Sequence, residues 1–422
     1  MADENFLSDE FVRQLIAVGE VDIVVGVPTF NNRETIGRVL NALQVGLVKY
    51  FPRQRSVLIN PDGGSTDGTT EVVKNASIQD FQTLLTSSPL RTMHRISTSY
   101  VREQDGKTAL RIILAAADLL RAKACALVSP DLESITPEWV EGLVRPVYKE
   151  KFDLVTPIYH RHKFDGLLVK NVLSPMICAV YGRNIREPVG AEFGFSGQLA
   201  CHYVAPGVWP KDFGESSMGL WMTTAAIVGG FRVCQSFLGP RIHVAKSSED
   251  LVQTIQHVVG DLFRCLEAHE SFWPAHSDGQ PAPVFGFEYS VALEPIRINR
   301  QRMLQMFRVG VNELGSILES IVTPATLQQI RSIGQLSDRE FRFTDDLWAK
   351  TVYEFASSYH RSVINRDHLL QALVPLYRGR IGSFVLENYR ADAEQIEKKL
   401  EALGAQYQSL KPHLIETWTT KK

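Results

Sequence analysis

Over its first 150 residues the chain alternates two hydrophobic periods. Short β-branched and apolar runs at 21–28, 56–60, 93–98 and 124–128 read as strands. Between them, apolar residues recur every three or four positions. One such stretch carries Ile36, Val39, Leu40 and Leu43, a second follows Thr69, and a long one covers 108–120. Strands alternating with helices predict βαβ units and a mostly parallel sheet. Residues 1–20 read as a short amphipathic helix with Phe6, Phe11, Val12, Leu15 and Ile16 on one side. Beyond 150 the pattern predicts a strand at 152–157 and a helix over 167–181. Gly-containing turns follow around Gly190 and Gly197, then a helix over 218–226 and a strand at 231–237. From Asp250 the period is helical, broken by a Pro/Gly-rich linker at 273–283. Residues 296–422 read as all-helical, ending in a charged helix over 391–403. The expected organisation is an α/β domain over 1–260, in halves 1–150 and 151–260, followed by a helical domain over 261–422.

Composition narrows the function classes. With 44% apolar and 22% charged residues, the chain has the make-up of a soluble globular protein. A net charge of −2 offers no footprint for nucleic acid or an acidic membrane. No apolar run approaches the roughly 18 residues of a membrane span. The acidic start, Met1-Ala2-Asp3-Glu4-Asn5, lacks the features of a signal peptide. The five cysteines are scattered without a CxxC pair and read as reduced core residues, so a cytoplasmic location is expected.

Candidate chemistry collects where strands end. Ser129-Pro130-Asp131-Leu132-Glu133 follows the run 124–128. Ligands of nucleotide-binding α/β sheets sit beyond the carboxyl ends of strands. A carboxylate there can hold a divalent cation that neutralises a diphosphate, or it can cap the helix expected near Trp139. Asp62 lies in a Gly/Ser/Thr-rich turn after the second strand and suits a base or ribose, while Asp67 suits a cap. Pro28, Thr29 and Asn32 fall on the same edge. Gly106-Lys107 precedes the helix at Thr108, where free N–H groups favour an anion, although a solvated Lys is the plainer reading. Glu192 lies in an apolar, Gly-containing setting and fits either a sugar contact or a structural hydrogen bond. Asp212 precedes a helix as ligand group or cap, and His243 follows a strand and a Gly-Pro turn. The cluster His160-Arg161-His162 fits an anionic acceptor or a solvated loop. There is no GxSxG elbow, Walker A, HExxH or GxGxxG.

Together these segments resemble glycosyltransferases of the GT-A fold. Residues 27–36 and 60–69 look like the family-2-type nucleotide-sugar site, and the DxD-type motif falls at Ser129-Pro130-Asp131, with Ser129 in place of its first Asp. The layout is similar to the retaining families mannosylglycerate synthase and glucosyl-3-phosphoglycerate synthase. The matching pieces are Gly106-Lys107, Ser129-Pro130-Asp131, Thr136-Pro137-Glu138-Trp139, Arg186 to Glu192, Asp212-Phe213-Gly214 and His243. Phe341 to Ala349 resembles the helical C-terminal domain of the former.

The resemblance implies a GT-A domain followed by a helical one. The first half would then bind the nucleotide-sugar and the second the acceptor. It makes Asp131 and His243 the ligands of Mg²⁺ or Mn²⁺. Pro28, Thr29, Asn32, Asp62, Gly106, Lys107, Ser129 and Pro130 would hold the nucleotide. Glu192, Asp212 and Lys107 would act at the donor sugar and reaction centre. The partners would be a nucleotide-diphospho-sugar, GDP-mannose or UDP-glucose, and a small hydroxy acid such as glycerate, 3-phosphoglycerate or glucosylglycerate, giving compatible solutes. The phosphoglycerate enzymes' acceptor segment is not kept near 166–171, a departure that bears on the acceptor; by charge, Lys170 or Arg161 could still meet a carboxylate. The expected assembly is a homodimer, with the helical tail as its surface or as support for a lid. An inverting family-2 transferase would carry a QxxRW-like segment, and a nucleotidyltransferase a Gly-rich basic N-terminal signature. Neither is present. A catalytically weak nucleotide-sugar-binding protein is the other reading, favoured by Ser129.

Overall fold

The computed structural model describes residues 6–76, 93–100, 107–210, 213–214, 217–243, 250–276, 279–288, 296 and 298–420. It divides into two compact units, neither of them one continuous segment. The first comprises 1–160, 189–246 and 282–291, and the second 161–188, 247–281 and 292–422. Residues 161–188, read from the sequence as part of the first domain, belong to the second unit.

The first unit is built on one eight-stranded sheet. In chain order its strands are β1 (Ile23–Gly26), β2 (Ser56–Asp62), β3 (Met93–Ser99), β4 (Ala124–Leu127), β5 (Leu154–His160), β6 (Phe193–Ser196), β7 (Val233–Pro240) and β8 (Val284–Phe285). They lie in the order β8-β7-β5-β6-β4-β1-β2-β3. Every pairing is parallel except those β6 makes with β4 and β5. This is the mostly parallel α/β arrangement that the resemblance implied. Strand β1 is buried along its whole length, as a central parallel strand should be. Ile23, Val25 and Val27 join Ile36, Leu40, Leu43, Trp139 and Leu143 in one core cluster. The helices Arg33–Tyr50 and Glu138–Tyr148 therefore cover one face of the sheet, the first with the apolar positions its periodicity marked.

Sequence periodicity missed β6 and the helix Gly197–Val204 after it, where it predicted only turns. The run Phe193-Gly194-Phe195-Ser196 is too short to show a period. Its Gly194 is demanded by close approach, since a Cβ there would lie 1.9 Å from the Leu143 carbonyl oxygen. The first helix, Asp9–Val18, buries Phe11 and Leu15 as expected, but Ile16 is 74% exposed.

The second unit is helical. Its segments include Ser174–Tyr181, Gly260–Ala268, Arg300–Glu313, Pro324–Gly334, Asp345–His360, Arg366–Asn388, Ala393–Ser409 and Lys411–Thr419. The helix expected over 167–181 opens with a π turn, Val169–Leu173. Four residues on from Asn171, Pro175 has no N–H to donate, and the Asn171 carbonyl accepts Trp348 Nε1 at 2.8 Å and Tyr407 Oη at 3.0 Å. The described ends of the expected linker are structured. Trp273 is buried, and Gln280–Pro281 pairs with Arg183–Asn184. Cys201 is exposed, against the core position read for it, while the other four cysteines are buried. Among the described residues no helix is long and apolar enough to cross a membrane.

Candidate functional site

Pro28, Thr29 and Asn32 follow β1, and Ser129, Pro130 and Asp131 follow β4. These strands are parallel neighbours, so both loops leave the same edge of the sheet. A cleft of about 460 Å³ opens there, bordered by all six of these residues and by His243. Its remaining lining is largely apolar, including Val189, Phe193, Met218 and Met222, with Phe30 and Tyr100 also at its border.

Backbone pairing brings Asp131 and His243 together. Leu132 and His243 form an antiparallel bridge. Glu133 N donates to Ile242 O at 2.9 Å. Ser134 Oγ donates to Pro240 O at 2.7 Å and accepts Ile242 N at 2.9 Å. From the other side, Thr35 Oγ1 donates to Pro130 O at 2.7 Å, tying the loop to the first turn of the helix Arg33–Tyr50. Asp131 does not cap the next helix, which starts after Pro137 without a side-chain cap. Its Oδ1 is buried and has no hydrogen-bond partner. A carboxylate oxygen taken from water without a donor is costly, so the site is suited to a cation. Among the described residues no three His, Cys, Asp or Glu side chains gather into a full ligand set. Two protein ligands fit a hard cation that fills its other positions with water and substrate phosphate oxygens.

Glu192 makes structural hydrogen bonds, one of the two roles read for it. Its side chain is fully buried and is not among the residues bordering the cleft. It accepts Tyr159 Oη, and it accepts Arg241 through Nε at 3.1 Å and Nη2 at 3.3 Å. Arg241 does border the cleft, where it is the one Arg or Lys among the described lining residues. Burial pulls its pKa down, but Glu192, Tyr159 and Asp131 outweigh that and hold it above the ordinary arginine value. Arg241 was missed in the sequence because nothing local marks it. The register of β7 shifts by one residue, with Ile158 opposite Phe237 but Tyr159 opposite Gly239. Gly239 has φ +81°, a left-handed conformation open to glycine. This irregularity sets the direction of the chain just before Arg241.

Asp62 is saturated by its own turn. Oδ1 accepts Thr29 Oγ1 at 2.8 Å and Ser65 Oγ at 2.6 Å. Oδ2 accepts the backbone of Gly64 at 3.1 Å and Ser65 at 2.9 Å. It is 3% exposed and does not border the cleft, so its observed work is to knit the Thr29 loop to the Ser65 turn. Asp67 accepts Thr69 N at 3.0 Å and Arg33 N at 3.0 Å, while the capping position of the next helix is Gly68, not Asp67 as read. Lys107 is buried at the N-terminus of the helix Thr108–Leu119, whose Ala109 and Leu110 border the cleft. Gly106 and Asp212 lie outside the described residues.

In the second unit Arg161 pairs with Glu187 at 3.3 Å. Lys170 donates to the carbonyls of His162 and Lys163 at 3.4 Å, and burial lowers its pKa. Both expected acceptor cations therefore already have partners. His160 ends strand β5, and His162 Nδ1 accepts Phe164 N at 3.2 Å.

No protein-family model matches the chain, and no curated protein does. Among solved structures the chain is similar to a glucosyl-3-phosphoglycerate synthase from Mycobacterium tuberculosis in complex with Mn²⁺, uridine diphosphate and phosphoglyceric acid. The identity is 18% over 61% of this chain and 81% of that one, with a TM-score of 0.42. The same enzyme with Mn²⁺, UDP-glucose and phosphoglyceric acid gives 19% identity over 61% and 82%, with a TM-score of 0.43. A structure described as a mycobacterial protein gives 22% over 61% and 78%, with a TM-score of 0.43. Identity and superposition at these levels leave function to be read from the cleft.

Proposed function

We propose that this protein is a metal-dependent glycosyltransferase that moves a hexose from a nucleoside diphosphate sugar to a small hydroxy acid with retention at the anomeric carbon. GDP-mannose and UDP-glucose are the leading donors, and glycerate, 3-phosphoglycerate and glucosylglycerate the leading acceptors. The observation that carries this reading is the buried, unpartnered Oδ1 of Asp131, held beside His243 at the carboxyl edge of a parallel sheet. Such edges take nucleotides, and such an oxygen takes a cation.

Asp131 and His243 would hold Mg²⁺ or Mn²⁺, which when bound supplies Lewis-acid neutralisation of a leaving diphosphate. The loop Pro28 to Asn32 would seat the nucleotide, with Asp62 acting through Thr29 and not as a direct contact. Arg241 would neutralise phosphate charge, oriented by Glu192 and Tyr159. Lys107 would add positive potential at its helix terminus. In the transfer, the acceptor oxygen bonds to the anomeric carbon as the carbon–phosphate-oxygen bond breaks, and the acceptor proton passes to the departing phosphate. Attack on the face the diphosphate leaves preserves the configuration. A cytoplasmic homodimer is the setting that goes with this reading.

The test is a transfer screen. Purified protein is mixed with each donor, Mg²⁺ or Mn²⁺, and each acceptor, and released nucleoside diphosphate is measured. Metal-dependent release stimulated by one acceptor supports the reading, and anomeric NMR of the product decides retention. Nucleotide binding without release from any donor would favour the catalytically weak binding protein.

A further inference from the structure

His243 enters the cleft with a ring nitrogen already engaged. Arg241 Nη1 lies 3.1 Å from His243 Nδ1. A guanidinium has only donors, so Nδ1 is the accepting, unprotonated nitrogen, and the proton of the neutral ring sits on Nε2. Neither nitrogen then offers a lone pair to a cation. The arginine is firmly seated, since Glu192 grips it through two nitrogens at 3.1 and 3.3 Å and Asp131 adds to the negative field around it. Only the Nη1 contact faces an exposed partner, because His243 is exposed while Glu192 is fully buried.

We infer that Arg241 is a positioning residue that keeps His243 from a divalent cation until a diphosphate occupies the cleft. Phosphate oxygens compete for Nη1 of Arg241, the one Arg or Lys among the described residues bordering the cleft, and release the His243 ring. A ring lone pair then becomes available beside Asp131. Binding is ordered as a result, with the nucleotide preparing the cation site, and the two ligands are coupled through one hydrogen bond. This rests on the proposed function, which makes Asp131 and His243 the ligand pair.

The experiment measures Mn²⁺ binding directly, by electron paramagnetic resonance of the unbound ion, with and without UDP or GDP. In the wild-type protein either nucleotide should tighten Mn²⁺ binding by about tenfold or more. Arg241→Gln should bind Mn²⁺ about tenfold more tightly than wild type in the absence of nucleotide, and the nucleotide's effect should shrink. The double variant Arg241→Gln/His243→Ala should lose that gain. A gain that survives in the double variant would come from removing a positive charge near Asp131 and would overturn the inference. So would Arg241→Gln protein with a wild-type melting curve that binds Mn²⁺ no more tightly than wild type. If the Gln variant does not fold, Arg241→Lys keeps the charge near Glu192 but cannot bridge to His243, and it should show a smaller gain in the same direction. Absence of that gain would count against the inference. Absence of Mn²⁺ binding in every variant, with or without nucleotide, would sink the functional reading as well.

Discussion

Two arginines, one in each unit, show what separates a structural charge from a working one. Arg380 is 2% exposed in the helical unit, and its hydrogen bonds all go to groups of that unit. Its Nε donates to Asn171 Oδ1 at 3.0 Å, Nη1 to Phe343 O at 2.7 Å and Nη2 to Asp345 Oδ1 at 2.5 Å. Arg241 has the fully buried carboxylate of Glu192 behind it, but its last partner is an exposed histidine at a cleft. A guanidinium whose hydrogen bonds all go to the fold holds the fold together. One with a replaceable partner can exchange it for a ligand.

The comparison can be broken in several ways, beginning with the largest effect. Asp131→Ala should leave the melting temperature near that of wild type and lower metal-dependent transfer by about 10³-fold, because charge stabilisation at the reacting phosphate is lost. Full activity in this variant, or in His243→Ala, would remove the cleft from the chemistry. Arg380→Met should do the opposite. Removing it strands the Asn171 and Phe343 oxygens in the interior and should cost about 3–4 kcal/mol in denaturant unfolding. A cost within experimental error would mean that this network is not the keystone drawn above.

The third test concerns acid sensitivity of the helical unit. Burial lowers the pKa of His269 from 6.5 to about 4, and Tyr181 Oη lies 3.0 Å from its Nδ1. The unfolded chain therefore binds a proton that the folded one refuses between those values. Stability is full above pH 6.5 and declines as pH falls toward 4, by about 3 kcal/mol in all. Denaturant unfolding at pH 7.5 and pH 5 measures the slope, and His269→Gln should flatten it. The smallest effect is that of Arg241→Gln on nucleotide. Affinity for UDP or GDP, read by calorimetry, should fall about tenfold, as for one lost charge-assisted contact. If instead it unfolds the protein as Arg380→Met does, the two arginines do the same work.

Much of the first unit was legible in one dimension. Strands β1, β2 and β4 and the helices between them follow from local period, since each buries one face or both and must be apolar in step, whereas the edge strand β3 buries only Ile96. The cleft's Pro28, Thr29, Asn32, Ser129, Pro130, Asp131 and His243 were legible for a related reason. Strand-end loops of parallel neighbours share an edge, so a strand assignment is already a placement. The short strand β6 was not legible, because four residues cannot display a period and its antiparallel pairing comes from partners distant in the chain.

The sequence alone determined the alternation of elements, the sheet edge on which polar loops gather, and the carboxylate offered there. Tertiary structure alone decided how each carboxylate is used. Asp62 and Asp131 both end strands, yet Asp62 has both oxygens tied by its own turn while Asp131 keeps one buried and unpartnered. Glu192 fitted a sugar contact or a structural hydrogen bond equally in the sequence, and in the fold it is the seat of Arg241. The physical reason is that period and propensity are local properties, whereas the state of a charge depends on donors contributed from elsewhere in the chain. Those donors become neighbours only when the sheet has formed.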